Sequence, residues 1–388
     1  MNWSRTWSGP LLVWLFLASP LLACCLWDYD TLQQERQRFP TALELITGQF
    51  LRHSQPFYEW RVADRQRRLE QTPNDVALLD DLAVAYEKLG QHDRAIEVMQ
   101  RKESIAPGLY ETRANLGTFL IHAGRYDEGL VEIRRAIEIN PDAHFGRELY
   151  QQLLVEYAMS RRVDDVLAMP LATVAARESI WGPQGFASFV LDQRRIDRED
   201  QEAVEAELDA ALKGVLGMQR FGNHDSPVLL EALGDLLMAK GPSSDAKRLA
   251  ARAFLRASYE TEGEAAAAYR ALAQESLSMQ TIHPRTQDEL RLPELEREFR
   301  KELQAAERWY RELEQNERRW IERGLDPEAE YDKLYREDPT VGSAPIEGST
   351  PGRRRGLSPI VTSVLGAAFV FAWIGFRWRR SRRASAVS

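Results

Sequence analysis

The chain has 388 residues, of which 28% are charged and 44% hydrophobic, a composition typical of folded proteins rather than of disordered ones. Its formal net charge of −8 combines nine arginines near the two ends with −17 on the residues between them. So acidic a body repels phosphate backbones, and nucleic-acid binding is not expected. Cys24 and Cys25 are the only cysteines, which excludes a disulfide framework or an all-cysteine metal site in the body.

The first 23 residues have the pattern of a secretory signal peptide. An apolar run, residues 11–23, follows a start whose only charged side chain is Arg5, and the run is too short to span a bilayer. We therefore predict a signal peptide over 1–23, followed by an N-terminal segment, 24–40. Leu21–Cys24 loosely resembles a bacterial lipobox, so lipidation of Cys24 is an alternative to ordinary cleavage.

A period of 34 residues marks the next part of the chain, because Pro73, Pro107 and Pro141 are equally spaced. Each unit contains two stretches with apolar residues at helical spacing, separated by a glycine (Gly90 or Gly124) and closed by a proline that cannot continue the helix. The pattern predicts two helical hairpins, over 76–109 and 110–143.

The residues at fixed positions of these two hairpins resemble the tetratricopeptide repeat (TPR) family. The first has Leu79, Leu82–Ala83, Tyr86, Gly90, Ala95, Met99 and Pro107, and the second has Leu116–Gly117, Leu120, Gly124, Gly129, Ile133, Ala136 and Pro141. The resemblance implies an all-α fold of hairpins stacked in a right-handed superhelix, with an array over 41–160. Two residues depart from the family pattern: Lys102 replaces a small residue and Arg113 a large apolar one.

The flanking units fit the family less well. Residues 41–73 keep the hairpin length, but Pro56 falls in the turn and Arg61 at a position that is usually small. Residues 226–280 supply another TPR-like hairpin and an alanine-rich helix. We expect a helical insertion over 161–225, with helices near 184–193 and 198–218, and no sheet, because no stretch alternates apolar and polar residues.

The segment Gly222–Asp225 (GNHD) matches a metal-binding motif of metallophosphoesterases. That chemistry needs two metal ions held by several further aspartates and histidines, whose motifs the chain lacks. A polar turn before a helix that opens at Pro227 is the simpler interpretation. An envelope metal-dependent hydrolase using His224 remains the alternative function.

A long charged helix is predicted between Pro293 and Gly324, within the region 281–338. Glutamate–arginine pairs four residues apart support it in solvent, yet it also carries a stripe of Leu295, Phe299, Leu303, Ala306, Tyr310, Leu313 and Trp320, with Glu317 as the one polar interruption. We expect the stripe of helix 294–323 to pack on the repeat body, with homo-oligomer formation as the alternative.

The C-terminal part has the pattern of a membrane anchor. After a flexible linker, 339–356, the 20 residues 357–376 carry no charge and are long enough to span a bilayer. Five arginines in 377–388 predict a cytoplasmic tail, which leaves the bulk of the chain outside the cytoplasm. The alternative is a sorting tail that is removed.

The resemblance to the TPR family also implies a concave groove lined by the first helix of each hairpin. The groove positions are Asp80, Val84, Glu87, Glu111, Asn115, Thr118, His122, Phe145, Glu148 and Gln152. Because four of these ten positions are acidic and none is a lysine or an arginine, we expect the groove to refuse a carboxylate terminus and to accept a basic or mixed peptide. An idle, merely solvated face is the alternative.

The sequence favours a non-catalytic, membrane-tethered TPR scaffold that binds a protein or peptide partner in the cell envelope. No catalytic or nucleotide-binding motif supports an enzyme, and no cofactor is expected. The six histidines lie scattered through the sequence without a zinc-type spacing, so no metal site is predicted.

Overall fold

The computed structural model describes residues 39–164, 166–172, 183–241, 244–278 and 291–336. Their helices are α1 (Ala42–Thr47), α2 (Gln55–Gln71), α3 (Val76–Lys88), α4 (His92–Ile105), α5 (Tyr110–His122), α6 (Tyr126–Ile139), α7 (Arg147–Ser160), α8 (Gly185–Gln193), α9 (Gln201–Phe221), α10 (Pro227–Ala239), α11 (Ser244–Tyr259), α12 (Gly263–Ser278), α13 (Leu292–Glu322) and α14 (Pro327–Tyr331). A 3₁₀ turn, Ala143–Gly146, precedes α7, and a π turn, Asp332–Arg336, follows α14.

The described chain is helical except for one small antiparallel hairpin that was not expected. Its strands, β1 (Arg162–Val163) and β2 (Val166–Leu167), pair Arg162 with Leu167 and Val163 with Val166. Two residues per strand are too few to produce a recognisable alternation in the sequence.

Helices α3 to α6 form the two predicted hairpins. Gly90 and Gly124 end the first helix of each with φ of +70° and +78°, values that a glycine adopts without strain. In the second hairpin the backbones approach closely, since a Cβ added at Gly129 would lie 2.8 Å from the Gly117 carbonyl oxygen. Small residues are therefore required where these helices cross.

Residues 41–73 do not form a hairpin of two repeat-length helices. Helix α1 has only six residues; a capping box of Thr41 and Glu44 begins it and Gly48 caps its C-terminal end. Pro56 lies in the first turn of α2 instead of in a turn between helices, where its missing N–H costs nothing. Arg61, which departs from the family pattern, is fully buried and binds Glu328 of α14.

Among the described residues, the largest apolar core is formed mainly by α7 to α12, with contributions from the second repeat and from α13. Helices α8 and α9 fill the predicted insertion, and α10 and α11 form the next hairpin, with an apolar core that includes Leu230, Leu233 and Phe254. Gly234 faces the Phe254 ring so closely that an added Cβ would lie 2.5 Å from it. The alanine-rich helix α12 packs against α11.

Helix α13 packs along the body of its own chain, against α1, α2, α11 and α12. Its stripe residues Leu295, Phe299, Ala306 and Leu313 are buried, as expected if the stripe packs on the body of the chain. Glu317 is buried too: one carboxylate oxygen lies 2.5 Å from His53 Nδ1, and the other accepts from the Ser54 N–H at 2.8 Å. Glu317, the polar interruption of the stripe, thus binds the segment immediately before α2.

None of the described helices is both long enough and apolar enough to cross a membrane. The predicted signal peptide 1–23, Cys24, the linker 339–356, the predicted spanning segment 357–376 and the basic tail 377–388 all lie outside the described residues.

Candidate functional site

The predicted groove positions lie mainly where α3, α5 and α7 face one another, a surface we call the first-helix face. Asp80 and Glu87 are seven residues, or two turns, apart on α3, and Asn115 and His122 have the same spacing on α5. The two pairs meet: Asn115 Nδ2 donates to Asp80 Oδ1 at 3.3 Å, and His122 Nδ1 contacts Glu87 Oε1. The period of the repeat therefore sets polar partners opposite one another.

Asp80 also binds Lys102, one of the two departures from the family pattern. Lys102 Nζ donates to both oxygens of the Asp80 carboxylate, at 2.7 and 2.6 Å, and both residues are buried. Burial raises the pKa of the Asp80 carboxyl to about 7, while the Lys102 ammonium opposes the rise. A lysine replaces the usual small residue because a buried acid on the neighbouring helix needs a cation.

The contacts between α5 and α7 continue the polar face. Tyr110 donates to Glu148 at 2.6 Å, and Gln151 Nε2 donates to Thr118 Oγ1 at 3.1 Å. Gln152, in contrast, bonds along its own helix to Glu156 at 2.8 Å.

The remaining groove positions differ in exposure. Val84 is buried, whereas Glu111 and Gln152 are half-buried and therefore reach solvent. Phe145 lies in the 3₁₀ turn before α7. Most of the polar groove positions thus hold helices together, and Glu111 and Gln152 are the groove positions best placed to meet a partner. Partner binding at the groove stays a prediction.

Glu87, His92 and His122 form a compact cluster at one end of this face. Their ligand-type atoms all lie within 4.8 Å of one another, and Glu87 Oε2 lies 2.9 Å from His92 Nδ1. The exposed fraction of the side chain is 4% for Glu87 and 5% for His122, but 24% for His92. Burial alone would raise the pKa of Glu87, but the two imidazoles outweigh it and lower the pKa to about 2.

The cluster escapes sequence inspection because its members come from three helices. Glu87 lies in the last turn of α3, His92 begins α4 and His122 ends α5. His92 and His122 show no zinc-type spacing in the sequence, yet their ring centroids are 5.9 Å apart. The one available signal is the repeat period, since Glu87 and His122 are one residue more than a repeat apart.

Comparison with known proteins agrees with this geometry. The tetratricopeptide repeat family model matches residues 77–108 and 110–143, the two hairpins that supply α3 to α6. The chain carries TPR repeats. A curated relative, the small glutamine-rich tetratricopeptide repeat-containing protein 2 of Mycosarcoma maydis, is 29% identical over 75 residues, which are 19% of this chain and 21% of that protein. The chain thus spans about a fifth of the length of this relative, and the 75 shared residues correspond to about two repeats.

The alternative site around His224 has the wrong surroundings for a metal ion. The His224 ring packs edge-on against Phe50, at 5.4 Å between ring centroids. Burial, together with the cations Arg52, Arg256 and Lys88, lowers the pKa of His224 well below its ordinary value. Cations that disfavour an imidazolium also repel a metal ion. The TPR family match and the TPR-containing relative also point to a non-enzymatic repeat protein.

Proposed function

We propose that this protein is a non-catalytic TPR scaffold, tethered to a membrane, that binds a protein or peptide partner outside the cytoplasm. The observation that carries the proposal is the pair of TPR hairpins, 76–109 and 110–143, whose first helices α3 and α5 contact each other, with α7 hydrogen-bonded to α5 beyond them. Repeat arrays of this kind use the surface of stacked helices for binding.

The first-helix face favours a partner that carries basic as well as polar groups. Asp80, Glu87 and Glu148 are already bound by Lys102, by histidines and by Tyr110. The half-buried Glu111 belongs to the same face and contributes a carboxylate that reaches solvent. Selection would therefore occur chiefly at the half-exposed positions, and a buried position such as Asn115 would act by holding α5 against α3.

Site-specific photo-crosslinking in native membranes tests this surface. A photoreactive residue at Glu111 or Gln152 should crosslink to one discrete partner, whereas the same residue at Glu138, on the exposed side of the second helix α6, should not. Equal crosslinking from all three positions, or none from Glu111 and Gln152, would contradict binding at this face while leaving the repeat fold intact.

The membrane tether rests on the sequence alone. The apolar start 11–23, the uncharged segment 357–376 and the arginines after it support a signal peptide, a stop-transfer helix and a cytoplasmic C-terminus. Protease added outside the cytoplasmic membrane should degrade the body and spare a tag after Ser388. A protected body would refute the orientation, and loss of the tag without protease would indicate a processed tail.

A further inference from the structure

We propose that Glu87, His92 and His122 form a zinc-binding site, with the two imidazole Nδ1 atoms and one carboxylate oxygen as ligands. Two histidines and a glutamate are a ligand set that binds zinc in proteins, and such three-ligand sites complete their tetrahedron with water.

The distances between the ligand atoms suit a small ion. Zinc–nitrogen and zinc–oxygen bonds of about 2.0–2.1 Å in a tetrahedron place neighbouring ligand atoms about 3.3 Å apart. His92 Nδ1 and Glu87 Oε2 are 2.9 Å apart, and no pair of ligand atoms in the cluster is separated by more than 4.8 Å. Small side-chain rotations, without movement of a helix, would therefore bring all three to an ion.

The backbone holds the ligands and adds favourable electrostatics. Gly90, in the left-handed conformation, reverses the chain between α3 and α4, and its N–H donates to the Glu87 carbonyl at 2.9 Å, which fixes His92 beside Glu87. Glu87 and His122 both lie in the last turn of their helices. The negative ends of these two helix dipoles face the place where the cation would sit, and they outnumber the one positive end there, that of α4, which begins at His92.

One side of the cluster is open for the fourth ligand. A surface depression of about 610 Å³ is lined by Gly90, Gln91, His92, Asp93, Arg94 and Ala123. His92, the most exposed of the three ligands, borders it, so water has access from that side. On binding, zinc displaces to solvent any proton held on the two Nδ1 atoms, and each imidazole coordinates in its neutral form with its proton on Nε2.

The test uses the purified full-length chain, stripped with EDTA and titrated with zinc sulfate by calorimetry. We expect one equivalent of zinc to bind with micromolar or tighter affinity, a rise in the melting temperature, and a visible spectrum typical of tetrahedral cobalt when Co²⁺ replaces zinc. His92→Asn should weaken binding by about 100-fold or more, because loss of even an outer-shell partner costs 10–100-fold.

His144→Asn is the matched control, since His144 lies outside the cluster and its left-handed backbone suits asparagine. It should bind zinc like the wild type. His92→Asn is the decisive variant because its half-exposed side chain can be replaced without disturbing the core, and an unchanged melting temperature in EDTA verifies that. Failure of the wild type to bind one equivalent of zinc, or wild-type affinity in the His92→Asn and Glu87→Gln variants, would overturn the site.

Discussion

Two hairpins of the chain, α3–α4 and α10–α11, bury an acid at the same position and neutralise it differently. Aligning Leu82–Ala83 with Leu233–Gly234 places Asp80 opposite Glu231. Asp80 binds the Lys102 ammonium from α4. The residue of α11 aligned with Lys102 is the buried Ala253, so Glu231 has no cation from that position.

Glu231 instead binds backbone and hydroxyl donors. Its carboxylate accepts from the Leu171 and Ala172 N–H groups at 2.8 and 2.9 Å, and from the Tyr269 hydroxyl at 2.7 Å. One turn later, Asp235 accepts from the Phe186 N–H at 2.9 Å. In the repeat, the buried Asp80 joins α3 to α4. In the later hairpin, Glu231 at the aligned position binds the segment that contains Leu171 and Ala172 to α10. The residue on the second helix distinguishes the two roles: it is Lys102 in α4, which binds the acid, and Ala253 in α11, which cannot.

Replacing Lys102 by Met should have the largest effect, because it leaves Asp80 buried without a cation. We expect the free energy of unfolding at pH 8 to fall by about 3–5 kcal/mol, as for other broken buried ion pairs. Urea unfolding of the full-length chain measures it. Adding Asp80→Leu should recover most of the loss, since an apolar pair of similar volume is often neutral or stabilising. A loss below about 1 kcal/mol for Lys102→Met would contradict the assigned role.

Glu231 should make stability depend on pH in the neutral range. Burial and the neighbouring Asp235 raise the pKa of Glu231 from 4.5 to about 7. The folded chain then holds a proton that the unfolded chain has lost, so this contribution is complete below pH 4.5 and declines as the pH rises to 7. The decline amounts to about 3 kcal/mol at most, at 1.36 kcal/mol per pKa unit.

The Glu231→Gln variant checks this by urea unfolding at several pH values. Its free energy of unfolding should change less between pH 4.5 and 7 than that of the wild type. Glu264→Gln, an exposed acid of the same region, should leave the wild-type slope unchanged. Parallel pH curves for Glu231→Gln and the wild type would exclude the raised pKa.

Gly234→Ala tests packing at a position where the first repeat already carries an alanine, Ala83. In the later hairpin the Phe254 ring occupies the space that a Cβ would need. We expect a destabilisation of about 1–3 kcal/mol, the usual cost of overpacking a core. Adding Phe254→Leu should recover part of it, and additive losses in the double variant would show that the ring is not the cause.

The helices were largely predictable from the sequence. Apolar periodicity, the 34-residue spacing and the turn glycines indicate α3 to α6, and a proline and a glycine at either end indicate α13 to within about two residues. Residues 41–73 were less predictable, because Pro56 fits a turn and a first helical position equally well and only tertiary packing decides between them.

The polar contacts could not be predicted in the same way. Apolar periodicity shows which face of a helix is buried, but it does not reveal buried charges such as Lys102, Arg61 and Glu317, which look like exceptions to the pattern. Their partners depend on how helices cross, and Arg61 and Glu328 are 267 residues apart in sequence. The Glu87, His92 and His122 cluster was missed for the same reason.

The docking of α13 should show the smallest effect, and only at low pH. Glu296 accepts from both guanidinium nitrogens Nη1 and Nη2 of Arg270, at 2.9 and 2.8 Å, and from the Tyr259 hydroxyl and Arg300. Bonding to Arg270, supported by Tyr259 and Arg300, lowers the pKa of Glu296 to about 2 although its partial burial opposes the shift. Its stabilisation is therefore complete above pH 4.5 and is lost as the pH falls from 4.5 toward 2.

The Glu296→Gln variant measures this contribution as a difference from the wild type. Because Arg270 and Arg300 are 43% and 58% exposed, solvent screening limits it to about 0.5–1 kcal/mol near pH 7. The melting temperatures of the variant and the wild type should approach each other as the pH falls from 4.5 and meet near pH 2, since the other acids titrate in both proteins and cancel. High salt at pH 7 should narrow the gap as well, because the screening length falls to about 3 Å at 1 M salt, which is comparable to the 2.8 Å between the paired atoms. A gap that is undiminished at pH 2 would assign the effect of Glu296 to packing of α13 rather than to its charge.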